Sequence, residues 1–305
     1  MAPYPKQILT IPQQLQSYMN AGMQISSQNE VIDALQSVGY YRLRGYSFHL
    51  YDNKTKKYHP GINFSDVLKL YHFDRELSHL LFGMASSIEV ALRCRLCDAM
   101  LVHGDALILT NPSYFSDKQL FWKNLATLSN EISRSNDVFI RHNYENHNGE
   151  IPLWAAVEVT SFGTLSKIIK NLQTGTGSAF SSIASHYCYQ SAKGKPVTPS
   201  HKMLCSWIQA VVVLRNICAH NSRIYNRTIS THPTILIADQ ITPVTPNPQH
   251  NGLYQILLAM KYLRPSDDVW KSFFSDMQSL FAKYQGCFDY GRMNFPADWQ
   301  AHLQI

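Results

Sequence analysis

Residues 201–227 have the sequence HKMLCSWIQAVVVLRNICAHNSRIYNR, an apolar run that ends in a cluster of polar groups. The apolar side chains recur at the three- and four-residue spacing of a helix that buries one face. They are Leu204, Trp207, Ile208, Val211, Leu214 and Cys218. This spacing predicts a core helix, and a mainly α-helical protein with small loop and β appendages is the simplest architecture for the chain.

If this helix continues unbroken through residues 219–221, a polar stripe forms on another of its faces. The stripe comprises Asn216, His220, Arg223 and Arg227. Such a stripe would place hydrogen-bond donors, a titratable imidazole and positive charge side by side. It is a candidate binding or catalytic surface.

Arg215 falls on the apolar side of the same helical wheel, where an unpaired guanidinium is costly and needs a partner or a wet cleft. Glu158 lies in an apolar stretch, WAAVEV, and is the natural candidate partner. Glu89, in another apolar run, is the alternative, and it could also pair with Arg93 one helical turn later. The sequence leaves the partner of Arg215 open.

Aromatic and basic side chains alternate over residues 40–51, YYRLRGYSFHLY. Tyr40, Tyr41, Arg42 and Arg44 could hold single-stranded RNA, with bases stacked on the tyrosine rings and phosphates on the arginines. The alternative is a short strand or turn whose rings pack on the core. Asp74 and Arg75, further along, are expected to brace the core.

Other segments give a coarse map of the chain. Helices are expected over 25–36 after a serine cap, over 65–103 either as one helix or as two bent near Gly83, and over 117–133. Residues 152–172 are expected to be helical and either broken or kinked around 161–163. Residues 134–150 are expected to form a polar surface loop, residues 234–237 to be β-like, and 252–263 and 267–283 to be helices. We divide the chain into an arm (1–24), a helical domain (25–230) and a helical extension packed on it (231–305).

Composition restricts the classes of function. A formal charge of +6 and a pI near 8.9 are compatible with a polyanion partner. No signal peptide and no membrane span is indicated, and the six cysteines are irregularly placed, as in a reducing cytosol. One CxxC, Cys94 and Cys97, lacks the second pair of a zinc site, and TGTGS at 174–178 lacks the P-loop pattern. We therefore expect no metal and no small-molecule cofactor.

RNICAHNSR at 215–223 resembles the R-x4–6-H signature of HEPN-fold ribonucleases. Three upstream blocks, 39–51, 70–93 and 152–172, resemble those of the Abi-like (AbiD/AbiF-type) family of bacterial phage abortive-infection proteins, in the same order. The resemblance covers about residues 30–230. It carries more weight than the spacing alone, because Arg44 and His49 have that spacing too.

The resemblance implies a HEPN-like helical bundle and a metal-independent endoribonuclease. Arg215, Asn216 and His220 would be catalytic, and Glu158 and Asn221 would support them. It further implies a homodimer in a bacterial cytoplasm, RNA as substrate, and a cognate non-coding RNA or other factor that neutralises the enzyme. The alternative is a non-catalytic RNA-binding or regulatory module on the same fold.

Overall fold

The structure is a computed structural model that describes residues 8–191, 194–239 and 252–305. Within these residues the chain is mainly α-helical, with two short antiparallel strand pairs, so the predicted fold class is confirmed. The first residues of the predicted arm and the Pro-rich stretch 240–251 lie outside the described residues. The helices are α1 (Ile11–Asn20), α2 (Gln28–Ser37), α3 (Tyr40–Ser47), α4 (Phe64–Leu101), α5 (Lys118–Arg134), α6 (Val138–Asn146), α7 (Leu153–Val159), α8 (Phe162–Asn171), α9 (Ala179–Ser185), α10 (His201–Ala219), α11 (Leu253–Tyr262), α12 (Asp267–Lys283) and α13 (Trp299–Leu303). The strands are β1 (Tyr51–Asp52), β2 (Lys57–Tyr58), β3 (Tyr189–Gln190) and β4 (Pro196–Val197).

The chain divides into two compact units. The first comprises the residues up to Ser78 together with Met277–Asp289, and the second comprises His79–Asp276 and Tyr290–Ile305. The first unit holds α1 to α3 and the β1–β2 hairpin, and the second holds α5 to α11 and α13. Helices α4 and α12 contribute residues to both. The domain boundaries drawn from the sequence stay a prediction.

Helices α1 and α2 pack together in the first unit, with Leu15 and Tyr18 of α1 buried. Helix α2 has the predicted serine cap, because the Ser27 hydroxyl accepts a hydrogen bond from the Glu30 amide at 3.3 Å. Gly39 follows with φ 93°, a conformation that strains any residue with a side chain. This glycine lets α3 start directly after α2.

Residues 40–50 of the Tyr/Arg segment are helical, so the alternative of a short strand or turn is wrong for them. Helix α3 continues as a 3-10 turn over Phe48–Leu50. Its buried residues are Leu43, Tyr46 and Ser47. These positions are three and four residues apart, which is a helical repeat concealed by the alternation of aromatic and basic types. The Tyr46 hydroxyl donates to the buried Asp74 carboxylate at 2.6 Å, which fits the bracing role expected of Asp74.

Helix α10 lies at the centre of the second unit, packed against α8, α9 and α11. All six side chains predicted to form its apolar face are buried. Ser200 caps its start by accepting a hydrogen bond from the Met203 amide at 3.3 Å. Among the described residues it is the one helix long and apolar enough to cross a membrane, yet half of it is buried inside the protein, as in a core helix.

Helix α4 is continuous over 38 residues, so the alternative of one long helix is confirmed. It begins one residue before the expected position 65, and its cap is Asn63. The Asn63 side chain accepts a hydrogen bond from the Ser65 amide at 3.1 Å. Asparagine and serine are equally good helix caps, so residue type alone did not show which of Asn63 and Ser65 is the cap.

The predicted break between α7 and α8 is confirmed, because the Ser161 hydroxyl accepts a hydrogen bond from the Thr164 amide and starts a new helix. Residues 134–150, expected to form a loop, contain α6. Ile140 is fully buried and holds this short helix against the protein. A single anchor in a polar segment gives no periodic signal, which explains the error.

The C-terminal helices α11 and α12 occupy the predicted segments within one residue. No strand forms at 234–237. Thr234 is instead fixed to α10, since its amide donates to the Ser206 hydroxyl at 3.0 Å and its carbonyl accepts from the Trp207 indole at 2.6 Å. Side chains of α10 satisfy the backbone here, so no partner strand is needed.

Candidate functional site

Helix α10 ends one residue before His220, which is its C-cap. Asn221 then adopts φ 53°. The amides of Asn221 and Ser222 donate to the carbonyls of Cys218 and Ile217 at 3.0 and 2.9 Å. This pair of hydrogen bonds is a Schellman cap, in which asparagine can replace the usual glycine.

The cap makes the predicted stripe of Asn216, His220, Arg223 and Arg227 wrong beyond His220. Arg223 and Arg227 lie in the irregular segment after the helix, where the Arg227 Nη1 donates to the Arg223 carbonyl at 3.4 Å. Arg227 is exposed, whereas Arg223 is half-buried and makes contacts of its own. The predicted stripe requires a continuous helix, but the left-handed conformation of Asn221 ends α10 before Arg223.

Arg215 is paired with Glu89 of α4. Its Nε lies 3.6 Å from Glu89 Oε2, which is ion-pair range but too long for a hydrogen bond, and this Nε is buried without a hydrogen-bond partner. Glu158, the natural candidate from the sequence, is exposed and is not the partner. The stretch around it forms the amphipathic helix α7, in which Trp154 and Glu158, one turn apart, face outward while Leu153 and Val157 are buried.

Arg93 holds Glu89 from the other side. Its Nη2 donates to Glu89 Oε1 at 2.5 Å, so the predicted pair one helical turn apart is confirmed. The same guanidinium also donates to the carbonyls of Val157 and Thr160, at the C-terminal end of α7. Thr160 is the C-cap of α7, and its amide also donates to the Val157 carbonyl at 3.4 Å. Arg93 therefore ties α4 to α7, and Glu89 is fixed before it meets Arg215.

The cluster has an excess of positive charge, because one buried carboxylate serves two guanidinium groups. Only 12% of the Arg93 side chain is exposed, against 33% for Arg215. The Arg215 guanidinium also lies over the Phe82 ring, with Cζ 5.6 Å from the ring centroid, and its Nη1 lies 3.5 Å from Asn216 Oδ1. A fixed, partly exposed guanidinium with surplus charge can bind a phosphate.

The structure therefore brings Arg215 and Asn216 together at the end of α10. His220 follows Asn216 by one turn, and its amide donates to the Asn216 carbonyl at 3.0 Å. Asn216, His220 and Asn221 are all exposed. The cap pairs the carbonyls of Asn216, Ile217 and Cys218 with backbone amides, which leaves fewer unpaired backbone oxygens at this helix end.

Phe82 and the bonds from Arg93 to the backbone were not predicted. Nothing in the apolar run of α4 distinguishes an outward Phe82 from its buried neighbours. Backbone carbonyls as acceptors leave no trace in a sequence. The charge of Arg93 was the only feature of the sequence that indicated a partner for this side chain.

The first unit contains the other predicted RNA-binding residues. Tyr40 and Arg44 are engaged internally, since the Arg44 Nη1 donates to the Tyr40 hydroxyl at 3.0 Å and lies over the Tyr51 ring. Tyr41, in contrast, is 91% exposed, and Arg42 is exposed as well. Helix α3 thus presents two of the four residues to solvent.

The thiols of the predicted CxxC face different environments. Cys94 is exposed and Cys97 is half-buried, where desolvation raises the pKa of its thiol to about 11. Across residues 8–191, 194–239 and 252–305, no three His, Cys, Asp or Glu side chains are grouped so as to hold a metal ion.

A family model described as Abi-like protein matches residues 33–226, which is more than half of the chain. No curated protein and no solved structure matches the chain. The matched segment contains all three ordered blocks and the end of α10 with Arg215 and His220. The chain belongs to the Abi-like protein family.

Proposed function

We propose that this protein is a metal-independent endoribonuclease that acts in phage abortive infection. The observation that carries the proposal is the end of α10, where Glu89 fixes the partly exposed Arg215 guanidinium beside Asn216 and one turn from an exposed His220. Membership in the Abi-like family supports the role in abortive infection. A HEPN-type R-x4–6-H motif is the sequence pattern to which these residues correspond.

RNA carries its own nucleophile, the 2′-hydroxyl, so the reaction needs proton transfer and charge stabilisation. A base removes the 2′-hydroxyl proton as that oxygen attacks phosphorus, and the 5′-oxygen of the next nucleotide leaves with a proton from an acid. Histidine can serve either role near neutral pH. Arg215 stabilises the charge that grows on the phosphate oxygens. The products are a 2′,3′-cyclic phosphate and a 5′-hydroxyl end, and DNA is not cleaved.

Two proton transfers need two groups, and the motif supplies one histidine per chain. We therefore propose a homodimer in which His220 of one chain acts as base and that of the other as acid. Activity should then rise with the square of protein concentration at high dilution. A rate that stays proportional to protein concentration down to the lowest dilution would argue for a monomer.

The test is incubation of the purified protein with end-labelled RNA in EDTA. Cleavage to cyclic-phosphate ends is expected from the wild type, and His220→Ala should lower the rate by at least about a hundredfold, the usual contribution of a general acid or base. His186→Ala, which changes another exposed histidine of the second unit, is the matched control and should cleave normally. Unchanged cleavage by His220→Ala, or cleavage abolished by EDTA, refutes the proposal.

The same experiment separates the alternative function. Wild-type protein that binds RNA but leaves it intact would be a non-catalytic RNA-binding or regulatory module. In a bacterial cytoplasm an active enzyme of this kind must be restrained, and we propose a cognate non-coding RNA as the neutralising partner. Sequencing of RNA that copurifies with His220→Ala should then recover one abundant species, whereas a random sample of cellular RNA would argue against such a partner.

A further inference from the structure

We propose that the first unit carries a separate anchoring surface for single-stranded nucleic acid, formed by the exposed face of α3 and the β1–β2 hairpin. The choice of RNA as its natural ligand rests on the proposed function. The surface itself rests on charge, exposure and contacts within the first unit. It differs from the RNA-binding set predicted from the sequence, because Tyr40 and Arg44 are engaged internally and other residues take their place.

Positive charge is concentrated in this part of the chain. Residues 40–59 contain five Lys or Arg side chains against one acidic residue, a net of +4 out of the +6 of the whole chain. Three of these cations, Lys54, Lys56 and Lys57, lie in the hairpin and are exposed. A local excess of this kind attracts a polyanion.

The hairpin's one carboxylate, Asp52, offsets one of these positive charges, but its oxygens accept hydrogen bonds from the turn and not from a lysine ammonium group. Asp52 accepts hydrogen bonds from the Lys54 amide at 2.8 Å and from the Thr55 hydroxyl at 2.9 Å, and these bonds lower the pKa of the carboxyl group. Lys57 donates to the Asn20 carbonyl at 2.5 Å. The ammonium groups of Lys54 and Lys56 make no hydrogen bond or ion pair with the described part of the chain. They remain available for phosphates.

Two aromatic rings are exposed on the neighbouring helix. Tyr41 is 91% and Phe48 55% exposed. Tyr41 lies in the first turn of α3 and Phe48 begins the 3-10 turn that follows it, seven residues later, so they are about 10 Å apart along the axis. Exposed rings at this spacing can stack against unpaired bases.

Buried contacts join the helix and the hairpin into one surface. The Ser47 and Tyr58 hydroxyls are 3.0 Å apart, and the Arg44 guanidinium lies over the Tyr51 ring. The Tyr51 and Tyr58 rings pack edge to face across the strand pair. These contacts fix the hairpin lysines relative to α3. Stacking and phosphate contacts do not read the 2′-hydroxyl, so single-stranded DNA should bind this surface as well.

That property gives a probe that cannot be cleaved. Binding of fluorescein-labelled oligo(dT) to the full-length protein is measured by anisotropy over a range of salt. Tyr41→Ala should weaken binding at least roughly fivefold, the loss of one stacked base. Lys54→Gln with Lys56→Gln should lower the slope of log Kd against log salt by about 1.4, because each single-strand phosphate contact contributes about 0.7.

The matched control is Trp122→Ala with Lys123→Gln, which removes an exposed ring and a charge from α5 in the second unit. It should bind oligo(dT) as the wild type does. Tyr41→Phe should restore binding, and unchanged circular dichroism melting should show that each variant is folded. Binding unaffected by the first-unit variants, weakened equally by the control, or absent in the wild type at low salt overturns the inference. Because the probe cannot be cleaved, these results do not depend on whether the protein is a ribonuclease.

Discussion

Replacing Glu89 by glutamine should destabilise the protein by about 2–3 kcal/mol. The carboxylate makes a charge-assisted hydrogen bond with Arg93 and an ion pair with Arg215, and 10% of its side chain is exposed. A hydrogen bond to a charged group contributes about 1.5–3 kcal/mol, whereas the pair with Arg215, which is a third exposed and 3.6 Å long, contributes less than about 1 kcal/mol. Glutamine keeps one acceptor, and Arg93 keeps its two carbonyl acceptors, so the cost stays below the 3–5 kcal/mol typical of an orphaned buried charge.

Urea unfolding followed by tryptophan fluorescence measures this difference. Glu158→Gln is the matched control, since it makes the same chemical change at an exposed glutamate and should alter stability by less than about 0.5 kcal/mol. Glu89→Gln should also reduce the proposed ribonuclease activity, because Arg215 loses the group that orients it. Equal effects of the two substitutions, or a loss below about 0.5 kcal/mol for Glu89→Gln, would refute the reasoning.

A double-mutant cycle resolves the two halves of the cluster. The coupling of Glu89 with Arg93 should exceed its coupling with Arg215, because the first pair is hydrogen-bonded and buried and the second is longer and partly exposed. The opposite order would mean that Arg215, rather than Arg93, is the main stabilising partner.

Hydrogen bonds from Lys283 and a neighbouring tyrosine hold the pKa of Glu76 below its ordinary value of 4.5. The stability this carboxylate contributes is therefore present above its ordinary pKa of 4.5 and is lost as the pH falls through the lower pKa of the folded state, so Glu76→Gln should lower the melting temperature more at pH 7 than at pH 3. Equal shifts at both pH values would contradict this. Asn221→Ala should cost about 1 kcal/mol in urea unfolding and more than Asn221→Gly, because a Cβ is strained at φ 53°; a larger loss for glycine would refute the role of backbone conformation. Since burial raises the pKa of the Cys97 thiol to about 11, iodoacetamide at pH 8 should label the exposed Cys94 faster than Cys97, and equal labelling rates of these two thiols in peptide mass spectrometry would disprove it.

Helices in which apolar side chains recur at helical spacing over many residues were predictable from the sequence. The buried face of α10, the capped start of α2 and the break before α8 each follow from local rules of periodicity and capping. The end of α10 was not predicted, because asparagine occupies the left-handed position where a glycine would have marked the stop. The predicted polar stripe depended on α10 continuing past Ala219, and it does not form because the helix ends there.

The residues of the candidate site stay a prediction, and the contacts that connect them could not be predicted from the sequence. Arg215, Asn216 and His220 were chosen from one local motif, and the helix that carries them holds them at one exposed end. The partner of Arg215 is on a helix distant in sequence, and two glutamates in apolar stretches looked equivalent. The two glutamates differ in the helix face on which they lie. Glu158 is one turn from the exposed Trp154, whereas Glu89 is buried on the core face of α4. In a helix of only seven residues, such as α7, the sequence does not clearly show which side chains face the core and which face solvent.

The two arginines that share Glu89 show how a bracing cation differs from one available to a ligand. Arg93 has its donors directed at the Glu89 carboxylate and at backbone carbonyls, and it is nearly buried. Arg215 makes one long ion pair, lies over an aromatic ring and keeps a third of its side chain in solvent. A cation needed only for stability would be expected to fill its hydrogen-bonding capacity within the protein, because unmade hydrogen bonds contribute nothing to folding. Arg215 is instead fixed at its buried Nε end and open at its outer end, which is the arrangement that a phosphate-binding guanidinium requires.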